Sequence, residues 1–271
     1  MTEAEIRTLE RPGCAIAYRS QGAGPPLLLL HATMSSSREL GVLARRLDGH
    51  FGVTSMDRRA SGESSLAPGS AVAPIDVAVH VADVAALIEA VADEPLVVVG
   101  HSYGGCLALE LAARRPELVG RVWVYEPPYA QVGPPAVRQR LVEIGDRVQQ
   151  ANERSGPEDA AEVFLAGVAG AQAVERLSAG ARERIRGPGA AAVAEASLLG
   201  LDPDGLGRID CPVVVATGGD SPEAYPVIAA GLLEKIPGAR RELIDGGDHM
   251  APLTRPGTIA TSILEFALDR T

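Results

Sequence analysis

A serine near residue 100 has the setting that nucleophilic chemistry requires. Ser102 lies within the pentapeptide GHSYG (100–104), directly after the apolar run 96–99 and directly before the helical pattern 103–114. The pattern G-x-S-x-G between a strand and a helix is typical of a sharp turn that exposes the serine hydroxyl. That turn also places the hydroxyl at the positive end of the helix, which favours a developing oxyanion. Ser102 is therefore our candidate nucleophile.

A serine hydroxyl is a poor nucleophile without a base, and His249 is placed to be that base. It lies in RELIDGGDHMAPLTRP (241–256), where a short strand and a Gly-Gly turn precede the histidine and a helix follows it. A histidine in such a loop can turn towards the serine. His101 adjoins the serine and is expected to pack or to form a hydrogen bond, whereas His50 and His80 are expected to be surface residues.

Apolar runs that alternate with helical patterns predict the elements that must position these residues. Because the predicted strands are apolar throughout, we expect a mainly parallel sheet with helices on both faces, an α/β fold. The stretch CAIAYRS around Tyr18 predicts an antiparallel strand that leads into it. The predicted strands are 26–31, 51–57, 96–99, 119–125, 212–217 and 241–244, and the predicted helices are 38–47, 75–91, 103–114 and 256–268.

The pattern changes between Pro127 and about Leu206, where four helix-length pieces are separated by Gly and Pro and no strand is evident. We predict an all-helical cap insertion over 127–206 that divides the α/β core into 1–126 and 207–271. Because the insertion lies between segments that carry candidate catalytic groups, we interpret it as a lid over the site. The residues predicted to line the pocket are mostly aliphatic: Phe164, Leu165, Leu198, Leu199, Tyr129 and Met250.

With these motifs the chain resembles the α/β-hydrolase family over nearly everything outside the helical insertion. LLLLHATMSSS (27–37) is similar to the family's strand and oxyanion loop, which usually reads His-Gly. DRRASGES (57–64) is similar to the Asp-Arg-x-Gly-x-Gly-x-Ser loop of small bacterial members, with Ala60 in place of one glycine. The resemblance implies the α/β-hydrolase fold and an oxyanion hole formed by the backbone N–H groups of Tyr103 and of Ala32, rather than Thr33.

Two residues are candidates for the acid that would orient His249. The family's acid usually follows the penultimate strand as Gly-x-x-Asp, but VVVATGGDSPE (213–223) has Ser221 at that position and Asp220 one residue earlier. The preceding core strand ends in VWVYEPP (122–128) and presents Glu126 at its tip, where haloalkane dehalogenases and fungal-toxin lactonases carry their acid. A glutamate there would hold the histidine tautomer and stabilise the imidazolium. We prefer Glu126 and keep Asp220 as the alternative.

Composition and charge exclude several other classes of protein. The net charge of −10 argues against a nucleic-acid binder. Three separated cysteines, Cys14, Cys106 and Cys211, argue against a disulfide framework and a structural zinc site. We see no dinucleotide or phosphate-binding fingerprint and expect no metal and no cofactor. The apolar runs are strand-sized and the N-terminus lacks an apolar signal core, so we expect a soluble, cytoplasmic protein.

Together these residues predict a serine hydrolase that cleaves an ester or lactone through an acyl-enzyme intermediate. The aliphatic lining predicts a medium-sized, largely apolar substrate. Thioesterase, amidase, carbon–carbon bond hydrolase and cofactor-free perhydrolase chemistry use the same triad and stay open, as does a non-hydrolytic step. The alternative from another class is a non-catalytic ligand-binding protein, since this fold is reused for such roles. The expected partner is a small molecule, not a nucleic acid or a membrane, and a homodimer stays open.

Overall fold

A mostly parallel sheet lies at the centre of the computed structural model, which describes residues 4–269 except for the side chain of residue 173. Its strands are β1 Ile6–Arg11, β2 Cys14–Gln21, β3 Pro26–Leu30, β4 Gly52–Met56, β5 Ser65–Leu66, β6 Leu96–His101, β7 Val119–Tyr125, β8 Val213–Gly218 and β9 Arg240–Ile244. The strand order is β1-β2-β4-β3-β6-β7-β8-β9, with β5 paired to β2. The pairs β1–β2, β2–β4 and β2–β5 are antiparallel, and the other pairs are parallel.

Helices cover both faces of the sheet and fill the segment between β7 and β8. They are α1 Gly41–Leu47, α2 Val77–Val91, α3 Tyr103–Arg114, α4 Pro135–Ser155, α5 Pro157–Ala169, α6 Ala171–Glu175, α7 Ala179–Arg186, α8 Gly189–Glu195, α9 Ala224–Lys235, α10 Ala251–Thr254 and α11 Pro256–Leu268. None of the helices between residues 41 and 268 is long and apolar enough to cross a membrane.

The central strands are apolar throughout because both of their faces are buried. In β3, Leu28 and Leu30 pack in one hydrophobic core with residues of α2 and α3. Leu27 and Leu29 point the opposite way and pack in a second core with residues of α1 and α11. This alternation follows from the two-residue period of a strand. The strand ends are thereby fixed between two packed layers, which gives the loops that follow them a rigid base.

The helices between β7 and β8 have a small hydrophobic core of their own. Buried Ile144 and Val148 of α4 pack there with Ala160 of α5 and Val193 of α8. Met34, from the loop after β3, packs against this cluster. The insertion is therefore in contact with the loop that the family resemblance assigns to the oxyanion hole.

The predicted α/β architecture is confirmed, and α3, α11 and β7 have the predicted bounds. The antiparallel strand around Tyr18 is present as β2. The four helical pieces expected in the insertion are five helices, α4 to α8, while its outer bounds, 127–206, stay a prediction.

The short elements β5 and α10 were not predicted, and β1 and α9 were missed because their sequences are not apolar or are interrupted. Strand β1 lies at the sheet edge and is mostly exposed, so its sequence IRTLER carries no apolar run. Helix α9 contains Pro226 and Gly231, which usually indicate a break. Pro226 lies in the first turn, where it is tolerated. A Cβ at Gly231 would overlap the carbonyl oxygen of Val132, so the glycine permits close packing.

The close approach of α3 to the sheet gives a test of stability. A Cβ added at Gly104 would lie 2.6 Å from the backbone oxygen of His31 and closer still to that of Leu30. We expect Gly104→Ala to lower the free energy of unfolding by about 1–3 kcal/mol, because backbone atoms cannot move aside without strain. The control is Gly49→Ala, whose Cβ would have no neighbour within 4 Å. Urea unfolding of both variants checks this, and equal losses of stability would contradict it.

Candidate active site

Ser102 lies in a strained turn between β6 and α3. Its backbone has φ 53° and ψ −123°, which is unusual for a residue with a side chain. Two hydrogen bonds hold the turn: the Ser102 N–H donates to Tyr125 O at 2.8 Å, and Ser102 O accepts from Gly105 N at 2.8 Å. A Cβ at Gly100 would clash with the backbone of Gly104, so this glycine permits the turn. The predicted sharp turn is present, and strain of this kind is concentrated at functional sites.

His249 is held by a buried carboxylate at the end of strand β7. Glu126 is 1% exposed, and its Oε2 lies 2.7 Å from His249 Nδ1. The other oxygen, Oε1, accepts the backbone N–H of Gly218 at 2.8 Å. With Nδ1–H donating to Glu126, Nε2 is the imidazole nitrogen that can accept a proton. This is the tautomer that a general base requires, while no hydrogen bond joins His249 Nε2 to Ser102 Oγ within the described residues.

The two candidate acids occupy different environments. Asp220 is exposed, and its backbone N–H donates to Gly247 O at 2.8 Å. In the part of the chain that the structure describes, its side chain makes no hydrogen bond with His249. Glu126 is therefore the candidate that contacts the histidine. The end of β8 contributes a backbone N–H to that contact in place of an acid.

Three aromatic residues fix the histidine loop. Tyr225 of α9 stacks on the His249 ring, with centroids 4.4 Å apart and planes inclined by 9°. His101 Nε2 lies 2.8 Å from His249 O, and Tyr125 Oη donates to Asp248 O at 2.8 Å. Burial, followed by the neighbouring His249, lowers the pKa of His101 to about 3, so its Nε2–H donates as a neutral imidazole. The hydrogen-bonding role expected for His101 is confirmed.

The expected oxyanion donors lie on segments that meet beside Ser102. Tyr103 is the first residue of α3, so its backbone N–H has no acceptor within the helix. Ala32 is the second residue after β3, and its carbonyl accepts from Ser35 N at 3.2 Å and from His31 Nδ1 at 2.7 Å. These contacts brace the loop, while the donor roles of Ala32 and Tyr103 stay a prediction.

The loop after β4 is hydrogen-bonded to the loop after β3. Asp57 accepts the backbone N–H of Ser37 at 2.5 Å and that of Glu63 at 2.9 Å. Ala60 has φ 61°, a left-handed conformation that glycine adopts more easily. The substitution of alanine for the family's glycine therefore leaves the backbone conformation in place.

Two expectations about individual side chains are wrong. His80 is 1% exposed, not a surface residue, and its ring lies edge-on to Tyr103 at 5.7 Å. Its spacing from buried Val77 and Val84 of α2 was a signal of burial. Tyr129 is fully buried in the core and donates its hydroxyl to Glu110, so it does not line a pocket.

Of the other predicted lining residues, Leu199 and Met250 are exposed. Phe164, Leu165 and Leu198 are partly buried, and Phe164 packs on the core of the insertion.

Sequence reasoning missed two residues that contact the predicted site segments: Tyr225, which stacks on His249, and Glu195, which pairs with Arg58 of the loop after β4. Tyr225 was not singled out, although aromatic residues make up only 3% of the chain and it follows a strand end. Glu195 of α8 was also missed; its signal is a single acid in the run AAAVAEA (190–196). Within residues 4–269, no group of three or more His, Cys, Asp or Glu side chains is arranged to hold a metal ion.

Comparison with known families agrees with the observed fold. Residues 27–261 match the model of the family described as alpha/beta hydrolase family. The chain belongs to the alpha/beta hydrolase family. Its mostly parallel sheet with flanking helices is the α/β-hydrolase fold.

Individual known proteins are similar to this chain over different shares of its length. The uncharacterized hydrolase YraK of Bacillus subtilis is 32% identical over 44% of this chain, and that match spans 44% of its own length, less than half. The (E)-2-((N-methylformamido)methylene)succinate hydrolase of Acinetobacter baylyi is 24% identical over 88% of this chain and 89% of its own. The enol-lactonase structure from Burkholderia xenovorans has a TM-score of 0.73 at 22% identity, covering 97% of this chain and all of that one. At that identity the likeness shows the α/β-hydrolase fold.

Buried histidines make the stability of this α/β hydrolase depend on pH. Burial is the main cause that lowers the pKa of His80 and of His101 to about 3, and it also lowers the pKa of His31. Because these pKa values rise to about 6.5 on unfolding, the unfolded chain binds more protons below that pH. The contribution of these buried neutral histidines to the free energy of unfolding is therefore fully present above pH 6.5 and is lost as the pH falls towards 3.

We expect each of these histidines to contribute about 1.4 kcal/mol per pH unit to the slope of the free energy of unfolding below pH 6. His80→Leu removes one such contribution, while Val79→Ala, at an exposed position of the same helix that carries no titrating group, leaves the slope unchanged. Urea unfolding between pH 7.5 and 5 measures the slopes. A His80→Leu slope equal to that of wild type would contradict the burial of a neutral His80.

Proposed function

We propose that this protein is a serine hydrolase that cleaves an ester or lactone of a medium-sized, largely apolar substrate. The observation that carries the proposal is the 2.7 Å hydrogen bond between buried Glu126 and His249, in a loop held against the strained Ser102 turn through His101. A carboxylate, an imidazole and a serine in this order form the set that activates a hydroxyl for acyl transfer. Ser102 is the nucleophile, His249 the general base and Glu126 the orienting acid.

The reaction proceeds in two halves. Ser102 Oγ bonds to the substrate carbonyl carbon while its proton moves to His249 Nε2, and the N–H groups of Ala32 and Tyr103 bind the oxyanion. The carbon–oxygen bond to the alcohol then breaks, and His249 gives its proton to that oxygen. Water attacks the acyl-enzyme, His249 takes the water's proton, and the collapse of the second tetrahedral intermediate returns a proton to Ser102. Throughout, Glu126 holds the Nδ1–H and stabilises the imidazolium.

The comparisons support hydrolysis over the other uses of this fold. The succinate-derivative hydrolase and the enol-lactonase carry hydrolytic names. A non-catalytic binder is disfavoured because such proteins often lose a triad member, whereas this chain keeps Ser102, His249 and Glu126. Thioester, amide and carbon–carbon bond substrates would use the same groups, so the substrate panel below separates them from esters and lactones.

The expected preference for an apolar acyl group is supported by the core of the insertion. Ile144 and partly buried Phe164 and Val168 pack together there, and Met34 joins them from the loop after β3. Apolar side chains thus meet where the insertion contacts the oxyanion loop. Substrate burial against the partly buried members, Met34, Phe164 and Val168, would be favourable by about 25 cal/mol per Å² of apolar surface.

Substitution of each candidate acid tests which residue orients His249. We expect Glu126→Gln to lower kcat for p-nitrophenyl butyrate by about 10²–10⁴-fold, because the amide no longer stabilises the imidazolium. The matched control Asp220→Asn keeps a kcat near that of wild type, since Asp220 is exposed and does not contact His249. Steady-state kinetics on folded variants checks both. Loss of activity in Asp220→Asn alone would show that Asp220 is the acid.

A substrate series tests the proposed acyl preference. We expect kcat/KM to rise from p-nitrophenyl acetate towards medium-chain esters, by up to about tenfold for each 1.4 kcal/mol of added apolar contact. The panel also contains δ-lactones, a thioester, an amide and short charged half-esters. Hydrolysis confined to the charged half-esters, the thioester or the amide would contradict the proposed substrate class.

A further inference from the structure

A fully buried ion pair connects the helical insertion to the loop that follows β3. Arg58, in the loop after β4, donates from Nε to Glu195 Oε1 at 2.8 Å and from Nη2 to Glu195 Oε2 at 2.9 Å. Glu195 is the last residue of α8, and neither side chain is exposed. This two-bond fork is the strong, directional form of an arginine–carboxylate contact. The position of the guanidinium is therefore fixed by a residue of the insertion.

The remaining N–H groups of Arg58 bind the backbone of the oxyanion loop. Nη1 donates to His31 O at 2.6 Å, and Nη2 also donates to Ala32 O at 3.2 Å. The same guanidinium lies 5.3 Å from the centroid of the Tyr103 ring. Arg58 thus contacts both residues whose backbone N–H groups are the expected oxyanion donors.

His31 braces the same loop as a neutral ring. Burial, followed by the nearby charge of Arg58, lowers the pKa of His31 well below its usual value. The neutral imidazole donates from Nδ1 to Ala32 O at 2.7 Å, and its Nε2 accepts the backbone N–H of Arg58 at 3.4 Å. Side chain and backbone of Arg58 therefore hold the 31–32 segment from two directions.

The contact with His31 O determines where the Ala32 N–H points. His31 C=O and Ala32 N–H belong to one planar peptide group, and no cis peptide occurs among the described residues. In a trans peptide the carbonyl and the N–H point in opposite directions, so a cation that holds the carbonyl orients the N–H away from itself. Withdrawal of electron density at the carbonyl also strengthens the N–H as a donor.

We propose that Arg58 and Glu195 are positioning residues for the oxyanion hole, so that the seating of the insertion and the alignment of the Ala32 N–H are coupled. Movement of α8 away from the core would leave the buried Arg58 without its counter-ion, which is strongly unfavourable. The closed insertion and the aligned donor therefore stabilise each other. This proposal rests on the proposed serine hydrolysis, because only that reaction develops an oxyanion next to Ala32.

The test compares an ester with the matching thionoester in Glu195→Gln and Arg58→Lys. A thionoester places sulfur, a weak hydrogen-bond acceptor, where the oxyanion would form, so its rate depends little on the N–H donors. We expect both variants to lower kcat for the ester by about 10–10³-fold, as partial or complete loss of one donor does, with KM within about threefold of wild type. The ester-to-thionoester ratio of kcat falls by a similar factor, which a structural role alone would not produce.

Glu162→Gln is the matched control. Glu162 pairs with Arg182 and Arg186 inside the insertion, both at 3.2 Å, and has no hydrogen bond to the 31–32 segment among the described residues. We expect its ester rate and its ester-to-thionoester ratio to equal those of wild type. Urea unfolding at assay temperature establishes that each variant is folded.

The two variants disrupt the ion pair from opposite sides. Arg58→Lys retains the charge that faces Glu195 but loses the fork, so it provides the test if Glu195→Gln does not fold. An unchanged ester-to-thionoester ratio in a folded variant, with an active wild type, overturns the coupling and leaves the proposed function intact. A wild type that hydrolyses no ester, thionoester or lactone overturns both.

Discussion

The carboxylate of Glu126 is the constraint on which the site depends. It is 1% exposed, and a buried carboxylate must be paired and hydrogen-bonded to be tolerated. Its two oxygens bind Gly218 N at the end of β8 and His249 Nδ1 in the loop after β9, so one side chain at the end of β7 joins three successive strand ends. Parallel strands bring these ends to the same edge of the sheet, where ligands of open α/β sheets bind. The orientation of the imidazole thus follows from the packing of the sheet, and Tyr225 adds a ring stacked on it.

Backbone strain is concentrated in the loops at the same edge, with one further strained residue, Leu198, in the insertion. Within the described residues, the non-glycine residues with positive φ are Met34, Ala60, Ser102, Glu126 and Leu198. Each such residue costs about 1–3 kcal/mol and persists only where the surroundings over-determine it. Here the surroundings are the two hydrophobic cores on either face of the sheet and the hydrogen bonds that hold the Ser102 turn. Rigid packing far from the site therefore maintains conformations that the site needs.

Local patterns were sufficient to predict much of this arrangement, but not the contacts between distant segments. The buried central strands, the turn at Ser102 and the loop position of His249 follow from periodicity and from glycines close in sequence. The choice between Glu126 and Asp220 stayed open because it depends on how β7 and β8 are paired, with Tyr125 opposite Ala216, which no local pattern contains. The ion pair between Arg58 and Glu195 joins residues 137 apart, and nothing near either residue specifies its partner.

The central claim is that Ser102 is chemically activated by its neighbours. The most direct measurement is the intact mass of the protein after reaction with a fluorophosphonate, with peptide mapping of the adduct, for wild type, Ser102→Ala and His249→Gln. A single adduct on Ser102 in wild type, its absence in Ser102→Ala and much slower labelling in His249→Gln are the predicted results. No adduct on the folded wild type, or an adduct that persists in Ser102→Ala, would contradict the claim.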